Sequence, residues 1–210
     1  MLRNQGSKRL LENAKIVGFE DGYFPPPFKG SKGFYTVLAS VLTENISPID
    51  VYLSLIEIDG LDATEKALNI LAYFKKEGKS FDIVLLGGIT YAGFNIIDPV
   101  EVYEVYEVPV VVITQDKPRD KDVEKALRKH FIDWKKRLMI LKKFRSKAKV
   151  FKIVKGKTKL YIQPLGIEPA LAQEIVKTLM VKGTYPEPLR LAKHIATALG
   201  KLIFSKYFVS

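Results

Sequence analysis

Apolar positions along this chain fall into short runs first and helical stripes later. Ala14 to Phe19 is a mostly apolar run ending in the adjacent acids Glu20 and Asp21, and it predicts a first strand. Phe34 to Thr43 and Ile49 to Asp59 predict two more strands, able to join the first in an antiparallel meander. From Asp62 to Lys76, the positions Ala63, Ala67, Ile70, Leu71 and Phe74 share one helical face. Ile83 to Leu86 is wholly apolar, as expected of a strand covered on both faces, and Val108 to Ile113 repeats that pattern. Lys121 to about Phe144 predicts one long amphipathic helix. Val150 to Val154 and Lys159 to Ile162 flank Gly156 as a hairpin. Pro169 to Met180 and Pro188 to Ile203 predict two closing helices.

This order predicts an α/β fold, a ribonuclease-H-like mixed sheet flanked by helices; pattern alone also admits a flavodoxin-like or other doubly wound sheet. No repeat, low-complexity tract or linker interrupts the chain. Residues 1–210 are therefore expected to form a single domain, with a basic helix-hairpin segment at about 134–162. No apolar stretch reaches the roughly 18 residues of a membrane span. Met1 to Gln5 lacks the apolar core of a signal peptide, so a cytoplasmic location is the default expectation. The absence of cysteine excludes disulfides, thiolate zinc sites and cysteine nucleophiles. Abundant Lys, Ile and Val without Cys fits a thermophile.

Charge sharpens the picture. The net charge is +11, and the stretch from Trp134 to Ile167 holds 12 Lys or Arg and no acid, which leaves the rest nearly neutral. A local basic surface can bind phosphates and release counterions. A solvated helix face and exposed hairpin explain the same residues equally well. Lys142, Lys143 and Arg145 in this stretch, with Lys117, Arg190 and Lys193 outside it, are the basic candidates for nucleic-acid binding.

Candidate chemistry collects at strand ends, where ligands gather in α/β folds. Glu20 and Asp21 could hold Mg²⁺ or Mn²⁺, since hard cations prefer carboxylate oxygens; a polar turn into Gly22 is the bland alternative. Ile56 to Asp62 repeats the pattern with Asp59 and Asp62. Asp62-Ala63-Thr64-Glu65 also fits a capping box, which leaves Asp59 the better candidate ligand. Gly87-Gly88 ends its strand without an acid. The turn that follows places Tyr91 and Asn95 as candidates for base or sugar contacts, although it matches no Walker or dinucleotide fingerprint. Tyr23 to Phe28 is an aromatic, proline-stiffened loop, read first as a cover for the sheet edge. His130 and His194 lie in predicted helices, and neither belongs to a two-histidine metal spacing.

Five segments together resemble a known family. Gly18 to Gly22, Ile58 to Glu65, Gly88 to Asn95, Pro109 to Thr114 and Pro186 to Leu199 are similar to the archaeal deoxyuridine endonucleases, relatives of endonuclease V. The resemblance spans about Lys15 to Leu199. It implies a ribonuclease-H-like fold and Mg²⁺- or Mn²⁺-dependent cleavage of DNA near a deaminated base, with single-stranded or damaged DNA as partner and RNA not set aside. By position it implies a first-strand acid, Glu20 or Asp21, together with Asp59 and Asp62 as catalytic, with Glu20, Asp21 and Asp59 as the candidate metal ligands; strand alternation leaves open which of Glu20 and Asp21 faces the site.

The departures share a direction. The family has two aspartates where Glu20-Asp21 stands, and an Asp where Gly87 stands. It carries a basic residue at Gln115 and a His at Lys193; His194 would point about 100° away around its helix. The expectation is therefore an endonuclease with weakened chemistry, or a nucleic-acid-binding protein of the same fold without turnover. Asp98 is the candidate to replace the missing acid, if its loop folds back.

Overall fold

A computed structural model describes residues 13–205. Three strands, β1 (Lys15–Asp21), β2 (Tyr35–Glu44) and β3 (Ser47–Glu57), form the expected antiparallel meander. β4 (Ile83–Leu86) lies parallel to β1, and β7 (Val110–Thr114) parallel to β4. β9 (Thr158–Leu165) runs antiparallel to β7, and β8 (Phe151–Lys155) closes the edge. The sheet order is β3-β2-β1-β4-β7-β9-β8. β5 (Thr90–Tyr91) and β6 (Asn95–Ile96) make a separate two-stranded ribbon after β4.

Both faces of the sheet are covered. Along β1, Val17 and Phe19 point one way and Ile16 the other, as strand alternation requires. The first face packs on α1 (Ala63–Lys76), α2 (Pro99–Tyr106), α3 (Asp120–His130) and α4 (Trp134–Lys147). The second packs on α5 (Pro169–Leu179) and α6 (Glu187–Ser205). Every residue of β4 is buried, which accounts for its unbroken apolar sequence. In α1 the five residues of the predicted stripe are the buried ones. Truncating Phe74 there would cost about 3–5 kcal/mol.

Three local expectations change. The long helix is two helices: Phe131 is extended at φ −127°, ψ 127°. Its ring packs edge-on against Phe94, and the Arg137 guanidinium covers it at 4.3 Å. α2 replaces an expected connection, and Asp98 starts it by accepting hydrogen bonds from the Val100 and Glu101 amides (2.8 and 3.3 Å). The capping box at Asp62 does not form: its side chain makes no cap bond and turns toward Glu57 and Asn95. In the aromatic loop Phe28 packs on Phe34 and Phe204 at 4.6 and 4.9 Å, while Tyr23 stays exposed. Among the described residues, no helix is long and apolar enough to cross a membrane.

A candidate nucleic-acid site at the strand ends

β1, β4 and β7 are parallel neighbours, so their carboxyl ends share one end of the sheet, and α6 packs across β2 and β1 beside β4. Gly18 and Gly22 make that crossing possible. A Cβ on Gly18 would lie 2.8 Å from the Pro188 backbone, and one on Gly22 would lie 2.4 Å from the Ala196 carbonyl. The close approach brings Lys193 and Tyr185 over the acids that end β1. A cleft of about 500 Å³ results, lined by Glu20, Gly87, Gln115, Lys117, Tyr185, Arg190, Lys193 and His194 among others.

Both acids of β1 serve this cleft. Glu20 is 4% exposed; its Oε1 accepts a 2.8 Å bond from the Tyr185 hydroxyl, and its Oε2 lies 3.4 Å from the Lys193 ammonium. Asp21 accepts from Lys193 at 3.0 Å through Oδ1 and from the Ala92 amide at 2.6 Å through Oδ2. Burial pushes the Glu20 carboxyl up to about 7, against the pull of Lys193 and Tyr185 and with the push of Asp21. Burial also works against the Lys193 charge, but Asp21 and Glu20 overcome it and raise its pKa. The Tyr185 hydroxyl is held well above its ordinary range by burial and by the neighbouring carboxylate.

Gly87 explains where Glu20 goes. A Cβ at position 87 would fall 1.9 Å from Glu20 Oε1 and 2.3 Å from its carboxyl carbon. The Glu20 carboxyl therefore occupies the space of a residue-87 side chain. A longer acid on β1 reaches the end of β4, where the chain has none of its own.

The other expected acids are committed elsewhere. Asp59 sits at φ 57° and accepts 2.8 Å bonds from the Gly30 and Phe94 amides, so it ties two loops together. Asp62 accepts from the Glu57 amide and the Asn95 side chain. Asp98 caps α2 and does not replace the missing acid. Asn95 is fully buried: it donates to Glu57 and Asp62 and accepts from the Ala63 and Ile96 amides. Tyr91 is 1% exposed beneath the site. Neither side chain is open to a base or sugar, because each serves the interior.

The basic candidates divide. Lys117, Arg190 and Lys193 line the cleft, with Arg190 paired to Glu187 at 2.6 Å. Lys142 and Lys143 lie in α4, beside Trp134, whose ring is covered by Arg128 at 3.9 Å. Lys143 pairs with Glu104 at 3.2 Å, and Arg145 with Asp120 at 3.0 Å and with Gln163. Arg137 belongs to the same basic run but is buried. It donates to the Asp59, Gly60 and Phe94 carbonyls at 2.7–2.9 Å and to the Asp133 carboxylate. Only the i, i+4 spacing of Asp133 and Arg137 hints at that role in sequence.

Mg²⁺ or Mn²⁺ does not fit the residues that are present. Among the described residues no group of three His, Cys, Asp or Glu could hold a metal. The two acids that meet are bridged by an ammonium. A divalent ion about 4 Å from that ammonium would be repelled by about 8 kcal/mol at an effective dielectric near 20.

The sequence model of the endonuclease dU family matches residues 12–200. The chain belongs to the endonuclease dU family. A UPF0215 protein of Thermococcus gammatolerans is 38% identical over 193 residues, covering 91% of this chain and 95% of that one. A protein of unknown function from Archaeoglobus fulgidus superposes with a TM-score of 0.74 at 27% identity, covering 89% of this chain and 98% of that one. The Ciona intestinalis endonuclease V, solved with a 23mer DNA containing an inosine followed by a ribo-adenosine, gives a TM-score of 0.59 at 12% identity. It covers 95% of this chain and 96% of that one, a likeness of fold. This endonuclease dU member thus has an endonuclease V-like α/β fold, with a seven-stranded mixed sheet.

Proposed function

We propose that this chain binds DNA at deaminated, deoxyuridine-type bases in the strand-end cleft, and does so without metal-dependent cleavage. The observation that carries this reading is the cleft itself. Lys117 offers a phosphate a positive charge that no ion pair among the described residues takes up, Arg190 beside it is paired with Glu187, and both acids of β1 are spent on Lys193, Tyr185 and the Ala92 amide. Family membership supports the substrate class, and the exposed lysines of α4 support an extended contact with the backbone. A place in the handling of damaged DNA follows from that substrate.

The test is fluorescence anisotropy in EDTA with single- and double-stranded oligonucleotides carrying one deoxyuridine or deoxyinosine. The control carries thymidine at the same position, and an RNA of the same sequence is a second control. Uracil and thymine differ by one methyl group, so the expected preference is about tenfold. Affinity should fall with salt on a log–log slope, and Lys117→Ala should weaken binding to every sequence. Equal affinity for uracil and thymine, or no binding at low salt, would overturn the proposal.

A second reading is metal-dependent endonuclease action on the same DNA. One observation favours it: the Lys193 side chain is half exposed (49%) and has solvent to turn into. Cleavage of these oligonucleotides with Mg²⁺ or Mn²⁺, lost in Glu20→Ala/Asp21→Ala, would select it.

A further inference from the structure

Lys193 stands at the centre of the strand-end cluster. An ammonium has three donors, and three acceptors surround this one: Asp21 Oδ1 at 3.0 Å, the Asp21 carbonyl at 3.3 Å and Glu20 Oε2 at 3.4 Å. Among the described residues no other cation forms an ion pair with either acid. The arrangement is built by the whole fold. Glu20 reaches across to the empty side-chain space of Gly87, where Tyr185 fixes its other oxygen. Asp21 is fixed by the Ala92 amide. α6 is lowered onto β1 at Gly18 and Gly22, which places position 193 directly over the pair.

We infer that Lys193 is the resident cation of this site. Its ammonium holds, within the chain itself, the place between Glu20 and Asp21 that a divalent ion would need, and the cleft takes its anionic ligand with no metal. Magnesium and manganese draw oxygens in to about 2.0–2.2 Å with near-octahedral demands. Glu20 and Asp21 are instead spaced around an ammonium at 3.0–3.4 Å. The inference rests on the proposed DNA-binding reading for the identity of the ligand; the exclusion of metal rests on this geometry.

Mn²⁺ is the probe, titrated into the full chain at pH 7.5 by calorimetry and by electron paramagnetic resonance of the free ion. The wild type is expected to bind it weakly or not at all at this site. Lys193→Met keeps the length and the apolar stem while removing the charge, and should bind one Mn²⁺ at least tenfold more tightly. Lys193→Arg keeps the charge and should behave as the wild type does. Asp21→Asn/Lys193→Met should lose the gain, which locates it. Equal Mn²⁺ affinity in wild type and Lys193→Met would overturn the inference. So would a wild type that binds one ion per chain in the low micromolar range and loses it in Asp21→Asn; that arm needs no change at Lys193. Oligonucleotide binding in EDTA is measured on the same samples. If metal is excluded and deoxyuridine is not recognised, the DNA reading fails alone. If deoxyuridine is recognised in EDTA and Mn²⁺ also binds the wild type tightly, the resident-cation inference fails alone.

Discussion

Glu20→Gln is the most informative single change for stability. The carboxyl is almost wholly buried, and its pKa stands at about 7 against an ordinary 4.5. Desolvation is the largest cause, and it exceeds what Lys193 and Tyr185 return. A raised folded-state pKa means that the native chain holds this proton more firmly than the unfolded chain between pH 4.5 and 7. The stability it contributes is therefore fully present below pH 4.5 and is lost as pH rises through 7. A shift of this size corresponds to about 3 kcal/mol. Glutamine keeps the shape and an acceptor for the Tyr185 hydroxyl but carries no charge at any pH. At pH 4.5 the difference between the two proteins reports the substitution alone. Above pH 8 the variant should have gained about 3 kcal/mol on the wild type, or roughly 6–12 °C in melting temperature for a chain of this size. Urea unfolding followed by circular dichroism at five pH values and constant ionic strength measures it. Parallel stability profiles would refute the reasoning. A wild type that gains on the variant as pH rises would reverse its sign.

Other parts of the structure yield further expectations. Arg137→Met should remove three carbonyl hydrogen bonds and leave Asp133 half-buried without its partner, lowering stability by about 3–5 kcal/mol in denaturant melts. Gly87→Ala should destabilise the wild type by about 1–3 kcal/mol, because its methyl would strike the Glu20 carboxyl, and should be nearly harmless in a Glu20→Ala background; a double-mutant cycle reads the coupling. Lys142→Ala should leave stability within about 0.5 kcal/mol and reduce the salt slope of DNA binding by about 1, measured by anisotropy across a potassium chloride series.

The meander and the buried strand β4 were legible because side-chain period and burial coincide there: alternation reports a half-buried strand and an unbroken apolar run a covered one. α2 was not, because Pro99-Val100-Glu101-Val102-Tyr103-Glu104-Val105-Tyr106 alternates nearly as a strand would. Only Asp98-Pro99 marks it as a helix start, and Pro99 presets the first helical φ. The break between α3 and α4 was hidden because a single ring, Phe131, finds its aromatic partner, Phe94, on a loop far away in sequence. The acids show the same division. That Glu20 and Asp21 end a strand was plain in the pattern. That Asp59 would be spent on the Gly30 and Phe94 amides was not, since its left-handed backbone and both partners are set by the tertiary fold.

The unusual residues of the cleft make sense together and not singly. A glutamate at position 20 is too long for the end of β1 unless its carboxyl has somewhere to go, and a side chain at 87 would close the only space it uses. Glycine at 87 would leave the end of β4 without an acid unless a neighbouring strand supplied one, and Glu20 supplies it. Two carboxylates brought this close and this deep would repel each other unless a cation lay between them, and α6 delivers Lys193 to that place. Restoring an aspartate at 87 alone would therefore not rebuild an ordinary acid cluster. It would drive Glu20 out of its pocket and leave Tyr185 without its acceptor. Removing the Lys193 charge alone frees only the Glu20–Asp21 pair for an ion, whereas rebuilding an acid cluster across β1 and β4 takes a concerted change, with position 20 shortened, position 87 acidic and position 193 uncharged. A cleft that needs three coupled changes to recover that cluster has settled on its ammonium.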